Sequence, residues 1–160
     1  MGAGQFEVAL STGIPRTPPT WTAEIVGEMH AGLFARPELA RRLPRATPDA
    51  LRKIPFIVPV TFRNDQWEAI DDGCPIPVAE RVAGHEAPSI GLALEIASAV
   101  PQLAFGPRLA ARSHLKEGRL VEVPVKDWNI AVSLWLAVDA NLTAARDFKR
   151  MTAAARTLLD

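Results

Sequence analysis

Two periodicities divide the chain. Phe6, Val8 and Leu10 alternate with Gln5, Glu7 and Ala9, a period of two that predicts a strand over 5–10, ended by Ser11-Thr12-Gly13. Residues 14–20, IPRTPPT, are too proline-rich for regular structure. Residues 22–35 read as extended, with Ile25, Leu33 and Phe34 as core candidates. Short helices are expected over 36–40 and 47–51; Thr47 suits an N-cap and Pro48 the first helical position. Phe56 to Val60 is an apolar strand. The polar, acidic stretch 61–73 follows, with Trp67 expected half-buried. Residues 75–82 read as extended, and Pro77 assigns them to a sheet edge.

The stretch 86–112, EAPSIGLALEIASAVPQLAFGPRLAAR, organises the rest. Ile90, Ala93, Leu94 and Ala97 fall at i, i+3, i+4 and i+7, the apolar stripe of a buried helix. Leu92, Ile96 and Val100 add a second apolar face, predicting cover on two sides. Pro88 reads as at or near the first helical position, and Pro101 stops the helix. Leu103-Ala104-Phe105 is a short buried strand, broken by Gly106-Pro107, and Arg108 opens another helix. Further on, residues 119–125 alternate Leu120 and Glu122 against Val121 and Val123. The run 130–138, IAVSLWLAV, predicts a central strand covered on both faces. Residues 144–159 form an amphipathic helix. Ala145, Phe148, Thr152, Ala155 and Leu159 line its dry side; Arg146, Lys149, Arg150 and Arg156 line its wet side.

Composition narrows the class. The chain has 160 residues, 48% hydrophobic and 22% charged, enough for one domain or two small lobes with a real core. Eighteen basic and eighteen acidic residues cancel, so there is no electrostatic footprint for nucleic acid. Cys74 is the only cysteine, which excludes an internal disulfide and points to a reducing, cytoplasmic setting. No run is long and apolar enough for a membrane helix, and the N-terminus lacks an export pattern.

Little in the residues speaks for catalysis, a metal or a cofactor. Cys74 with His30, His85 or His114 is the only thiol–base combination, and the acidic loop around Cys74 raises rather than lowers its pKa. The histidines have no zinc spacing. Asp71 and Asp72 are adjacent, so their side chains diverge, as in a solvated turn.

The order of these pieces carries a resemblance. Leu33-Phe34-Ala35-Arg36-Pro37-Glu38-Leu39-Ala40-Arg41, then Arg45 to Leu51 with Thr47-Pro48, then Pro55-Phe56-Ile57 resembles the effector-binding domain of LysR-type transcriptional regulators. So does the strand at 103–107 with its proline, followed by Gly118-Arg119-Leu120-Val121; Val100 and Gln102 stand where the family has glycines. The resemblance implies an α/β, periplasmic-binding-protein-like (type II) two-lobed fold. Residues 1–21 would end the first lobe and cross over, 22–106 would form the second lobe, and 107–160 would return to the first. No part of the sequence matches the opening of the family's first lobe or its helix-turn-helix. The expectation is therefore an effector domain truncated at its N-terminal side, with the second lobe complete and the first partial.

In such a fold the effector lies between lobes, at strand ends and helix N-termini, where unpaired N–H groups suit a carboxylate. The candidate binding residues on that resemblance are Ser11 and Thr12 after the first strand, Thr61 and Phe62 after the strand 56–60, and Pro88 and Ser89 at the central helix start. Each has a plain reading as a turn, strand-end or helix-start residue. The implied partners are a small-molecule effector, with a carboxylate as candidate class, and a second copy of the chain. DNA would be reached only through a domain absent from this sequence. The alternatives are a small enzyme using Cys74 or the carboxylates, and a solute-binding protein.

Overall fold

The computed structural model describes residues 8–12, 14–157 and 159. Gln5, Phe6 and Glu7 of the first expected strand, and Gly13 of its stop, lie outside these residues. The chain forms two compact units. One comprises residues up to His30 and from Ala131 on; the other is Ala31–Ile130. The divisions at 30/31 and 130/131 differ from the crossovers read at 21/22 and 106/107. The strand β2 (Trp21–Ala35) runs unbroken across 21/22, and its first ten residues belong to the first unit.

In the first unit, β1 (Val8–Thr12) pairs antiparallel with β8 (Ile130–Asp139), Val8 opposite Val138 and Thr12 opposite Leu134. The strand order is β1-β8-β2, so β8 has a neighbour on each side. Its apolar run is fully buried only in its second half, at Leu134 and from Leu136 to Val138, while Ala131 and Val132 are exposed. Ser11 and Thr12 belong to the strand rather than to its end, because their backbones stay in register with Trp135 and Leu134. α5 (Ala145–Thr157) packs Thr152 and Ala155 inward with Phe148 and Met151 partly covered, against Val26, Leu134 and Leu136. Its four basic residues stay outside, as the 3.6-residue period requires.

The second unit is a sheet with helices on both faces, and side-chain alternation shows why. On β2, Leu33 and Ala35 enter one core and Phe34 the other. On β3 (Pro55–Arg63), Phe56 and Ile57 divide the same way. So do Leu103, Ala104 and Phe105 leading into β6 (Ala104–Pro107). A period of two sends successive side chains to opposite faces, so strands that are apolar throughout are buried on both. One face is covered by α1 (Pro37–Ala40) through Leu39, by α2 (Pro48–Leu51) through Leu51, and by Leu43 between them. The other is covered by α3 (Ile90–Ala99) and α4 (Arg108–Lys116) through Ala93, Leu94, Ala97 and Ala111. Thr47 caps α2 as expected, its hydroxyl accepting from the Ala50 N–H at 3.3 Å.

β3 runs parallel to β5 (Val82–Ala87). It also meets the start of β6 in parallel, with the Ile57 N–H donating to the Leu103 carbonyl at 2.8 Å. β6 and β7 (Val121–Glu122) pair antiparallel with β2. β4 (Gln66–Ala69) folds back on β3 as a hairpin through Asn64 and Asp65, both at positive φ. Strand direction is thus mixed, as an α/β fold with a hairpin edge requires.

Several local expectations need correction. Ile25 is 46% exposed and not core, because it alternates with the buried Val26. Leu92 is 45% exposed, so α3 buries one stripe, not two. Trp67 is 55% exposed and packs edge-on against Phe62 at 5.3 Å between ring centroids. Gly106-Pro107 do not break β6; Pro107 sits opposite Ala31 at its last position, where a missing N–H is tolerated. Residues 75–81 are not an edge strand: Ile76 is fully buried, Val78–Glu80 is a single 3-10 turn, and the strand begins at Val82.

Candidate functional site

A cavity of about 210 Å³ opens in the second unit, where β5 and β6 end beside the middle of β3. Its walls are Ile57, Pro59 and Val60 from β3, Ala87 from β5, and Phe105 to Pro107 from β6. Ile70, Asp72, Pro88 and Ser89 before α3, and Ile90 and Ala93 on it complete them. This is the carboxyl side of parallel strands, where chains turn into helices and leave a crevice for ligands in open α/β sheets.

Ser89 is the N-cap of α3: its backbone is extended and its hydroxyl oxygen accepts from the Leu92 N–H at 3.3 Å. Pro88 therefore sits one residue before the cap, not inside the helix. The Ile90 and Gly91 N–H groups have no acceptor within the helix, since the first turn has no preceding carbonyls. Pro107 is the N-cap of α4 and provides no side-chain cap, so that helix also starts with free N–H groups. Both cap residues line the same cavity. Two helix N-termini place partial positive charge there, inside walls that are otherwise mostly apolar.

The one acidic wall residue is held by an arginine. Asp72 accepts from Arg81 through both oxygens, at 2.6 and 2.8 Å, and its Oδ1 also accepts from the Cys74 N–H at 3.1 Å. Arg81 donates its Nε–H to the Ile76 carbonyl at 2.8 Å and lies over the Phe56 ring at 5.1 Å. Burial pulls the Arg81 pKa down, but the hydrogen bonds and charge of Asp72 outweigh it and hold the guanidinium above its ordinary value. The Asp71-Asp72 pair is thus not simply a solvated turn: only Asp71 points outward, capping the Gly73 N–H at 2.9 Å.

Of the expected site residues, Pro88 and Ser89 line the cavity. Thr61 and Phe62 do not; they continue β3 beyond Val60, paired with Glu68 and Trp67 of the hairpin. Ser11 and Thr12 lie on β1, in the other unit. Sequence reading missed Asp72, Gly106 and Pro107. The pattern of proline before helix, on both sides of the strand 103–107, was the available signal.

Cys74 offers no nucleophile. Burial, the largest cause, pushes its thiol from 9.0 to about 11. Among the described residues no histidine is bonded to it: His85 pairs with Gln102 and His114 with Glu95. A thiol raised in the folded state favours folding below pH 9, and that contribution is lost as pH rises toward 11. The native protein should therefore resist iodoacetamide at pH 7.5 and label rapidly once unfolded in urea; fast native labelling would contradict the burial. Among the described residues no helix is long and apolar enough to cross a membrane, and no group of three metal-ligating side chains forms.

A family model for the LysR substrate binding domain matches residues 1–159. No curated protein matches the chain. Among solved structures, a probable transcriptional regulator, PA0477 from Pseudomonas aeruginosa, is similar at 21% identity and a TM-score of 0.70, covering 98% of this chain and 51% of that one. A cysteine-to-serine variant of the OxyR2 regulatory domain from Vibrio vulnificus is similar at 15% identity and a TM-score of 0.68, covering 98% and 74%. The regulatory domain of MetR, a LysR family regulator from N. meningitidis, follows at 12% identity and 0.66, covering 95% and 69%. The chain spans about half the length of the PA0477 protein.

Proposed function

The chain belongs to the LysR substrate-binding domain family, whose fold is of the type II periplasmic-binding-protein kind, and on that premise we propose that its cavity at the starts of α3 and α4 binds a small carboxylate as effector. The family is one of regulator ligand-binding domains rather than of enzymes. In this reading Ala31–Ile130 forms the second lobe, and the rest of the chain belongs to the first. The observation that carries the ligand class is the pair of N-caps, Ser89 and Pro107, on one cavity. Free first-turn N–H groups and the positive ends of two helix dipoles stabilise an anion, while Ile57, Val60, Ile70 and Phe105 take an apolar body.

Isothermal titration with hexanoate and with its neutral amide tests the charge requirement. Hexanoate should bind and hexanamide should not. An amide that binds equally well, or an acid series from butanoate to heptanoate with no binder, overturns the reading. Gly106→Ala localises it. A Cβ at Gly106 runs into the Ile90 Cδ1, so the Ile90 side chain must move, and both residues line the cavity. Hexanoate affinity should fall roughly tenfold, the scale of one methylene in a tight pocket; unchanged affinity would move the site elsewhere.

Association belongs to the same proposal. Among the described residues β8 is the only neighbour of β1, and Val8 and Leu10 on that strand are exposed. An apolar strand edge is a template for pairing with a second copy. Sedimentation across a wide concentration range should show a dimer or larger, and a stable monomer at high concentration would refute it.

A further inference from the structure

Resting on the carboxylate reading, we infer that Asp72 reads a second group on the ligand, an uncharged hydrogen-bond donor such as a hydroxyl, carried on an apolar body at some distance from the acid. The cavity is asymmetric. At the helix starts it offers donors: the Ile90 N–H at the first position of α3 and the Ser89 hydroxyl proton, while the start of α4, reached through its cap Pro107, adds the positive end of its dipole. Of the other wall residues, only Asp72 has a polar side chain, and it is an acceptor. A carboxylate has about four lone-pair sites. The two Arg81 nitrogens and the Cys74 N–H occupy three of them. One acceptor position is therefore left on a wall residue whose side chain is 14% exposed.

The same arrangement sets the charge of the group it reads. Arg81 is wholly buried and is pinned to Asp72, to the Ile76 carbonyl and over the Phe56 ring, so it travels with the carboxylate as a neutral unit. An ammonium at Asp72 would face the guanidinium as well as the carboxylate, and would lose its water for little net attraction. A hydroxyl or amide N–H loses less water and gains a charge-assisted bond. The neutralisation by Arg81 also explains how an acidic residue shares a cavity with a carboxylate ligand.

The test needs no variant of Asp72. Titrate the protein with ω-hydroxy acids from the butanoate to the heptanoate, alongside the unsubstituted, ω-amino and ω-methoxy acids of the same lengths. At one chain length the hydroxy acid should bind about tenfold more tightly than its parent, as expected for a hydrogen bond to a charged acceptor. The methoxy and amino acids of that length should bind no more tightly than the parent. Ser89→Ala should weaken every acid yet keep the hydroxyl preference. If the parent acids bind and hydroxylation gains nothing at any length, this inference fails while the carboxylate reading stands. If the preference disappears in Ser89→Ala, the serine reads the hydroxyl and Asp72 does not. If no acid of any kind binds, the carboxylate reading itself fails.

Discussion

Leu94→Ala should lower the unfolding free energy by about 2–5 kcal/mol, the range for deleting a buried leucine side chain down to its Cβ. Leu94 is 0% exposed and sits in the core formed by Phe34, Ile57, Ala104 and Leu120. That core is bounded by two helices and a sheet, so the hole cannot close without moving a strand. The measurement is a urea melt with a fixed slope; a loss under about half a kcal/mol would mean that α3 does not pack as described. Leu92, two residues away and 45% exposed, is the control. Its alanine variant should stay near the wild type, within roughly half a kcal/mol, as surface substitutions do.

The contrast between these leucines marks how far the sequence could be read. Periodicity located α3 and its buried stripe, because Ile90, Ala93, Leu94 and Ala97 repeat at helical spacing and only one side of a helix can face a sheet. It also assigned Leu92 to the core, because apolar character alone does not say which apolar residues find a partner. The apolar strands were legible for the same local reason, and so was the Thr47 cap. β5 was not. Its sequence, VAGHEA, has almost no apolar alternation, and backbone bonds to β3 rather than side-chain burial make it a strand. The hairpin was missed although Asn64 and Asp65 are residue types that tolerate positive φ.

The site divides in the same way. Pro88 and Ser89 were legible as a helix start, which is a local signal. That a second helix starts on the same cavity depends on β5 and β6 both flanking β3, which is a matter of topology. The role of Asp72 depends on Arg81 nine residues later, with a turn and a buried Ile76 between them. Nothing in Asp71-Asp72 as a dipeptide distinguishes the exposed carboxylate from the paired one.

That pair carries the second large effect. Asp72→Ala should cost about 3–5 kcal/mol, because it strips the partner from a charge that cannot reach water. The Arg81 side chain is 0% exposed, and after the change it would keep the Ile76 carbonyl, the Phe56 ring and the charge of the exposed Asp71, with no carboxylate bonded to it. Arg81→Met should cost clearly less. It leaves Asp72 with the Cys74 N–H and a 14% opening to solvent, and the methionine refills much of the apolar volume. The double variant should recover most of what Asp72→Ala loses, since replacing both members of a buried pair is far cheaper than orphaning one. A double-mutant cycle by urea denaturation reads all three values. Two equal single losses, or a double variant as unstable as Asp72→Ala, would show that Arg81 is not an uncompensated buried charge in the absence of Asp72. The neutral unit invoked at the cavity wall would then have no basis. The expected asymmetry also bears on evolution of the site: the arginine can be exchanged at modest cost, whereas the aspartate is held in place by the stability of the whole unit and is present at the cavity whether or not a ligand uses it.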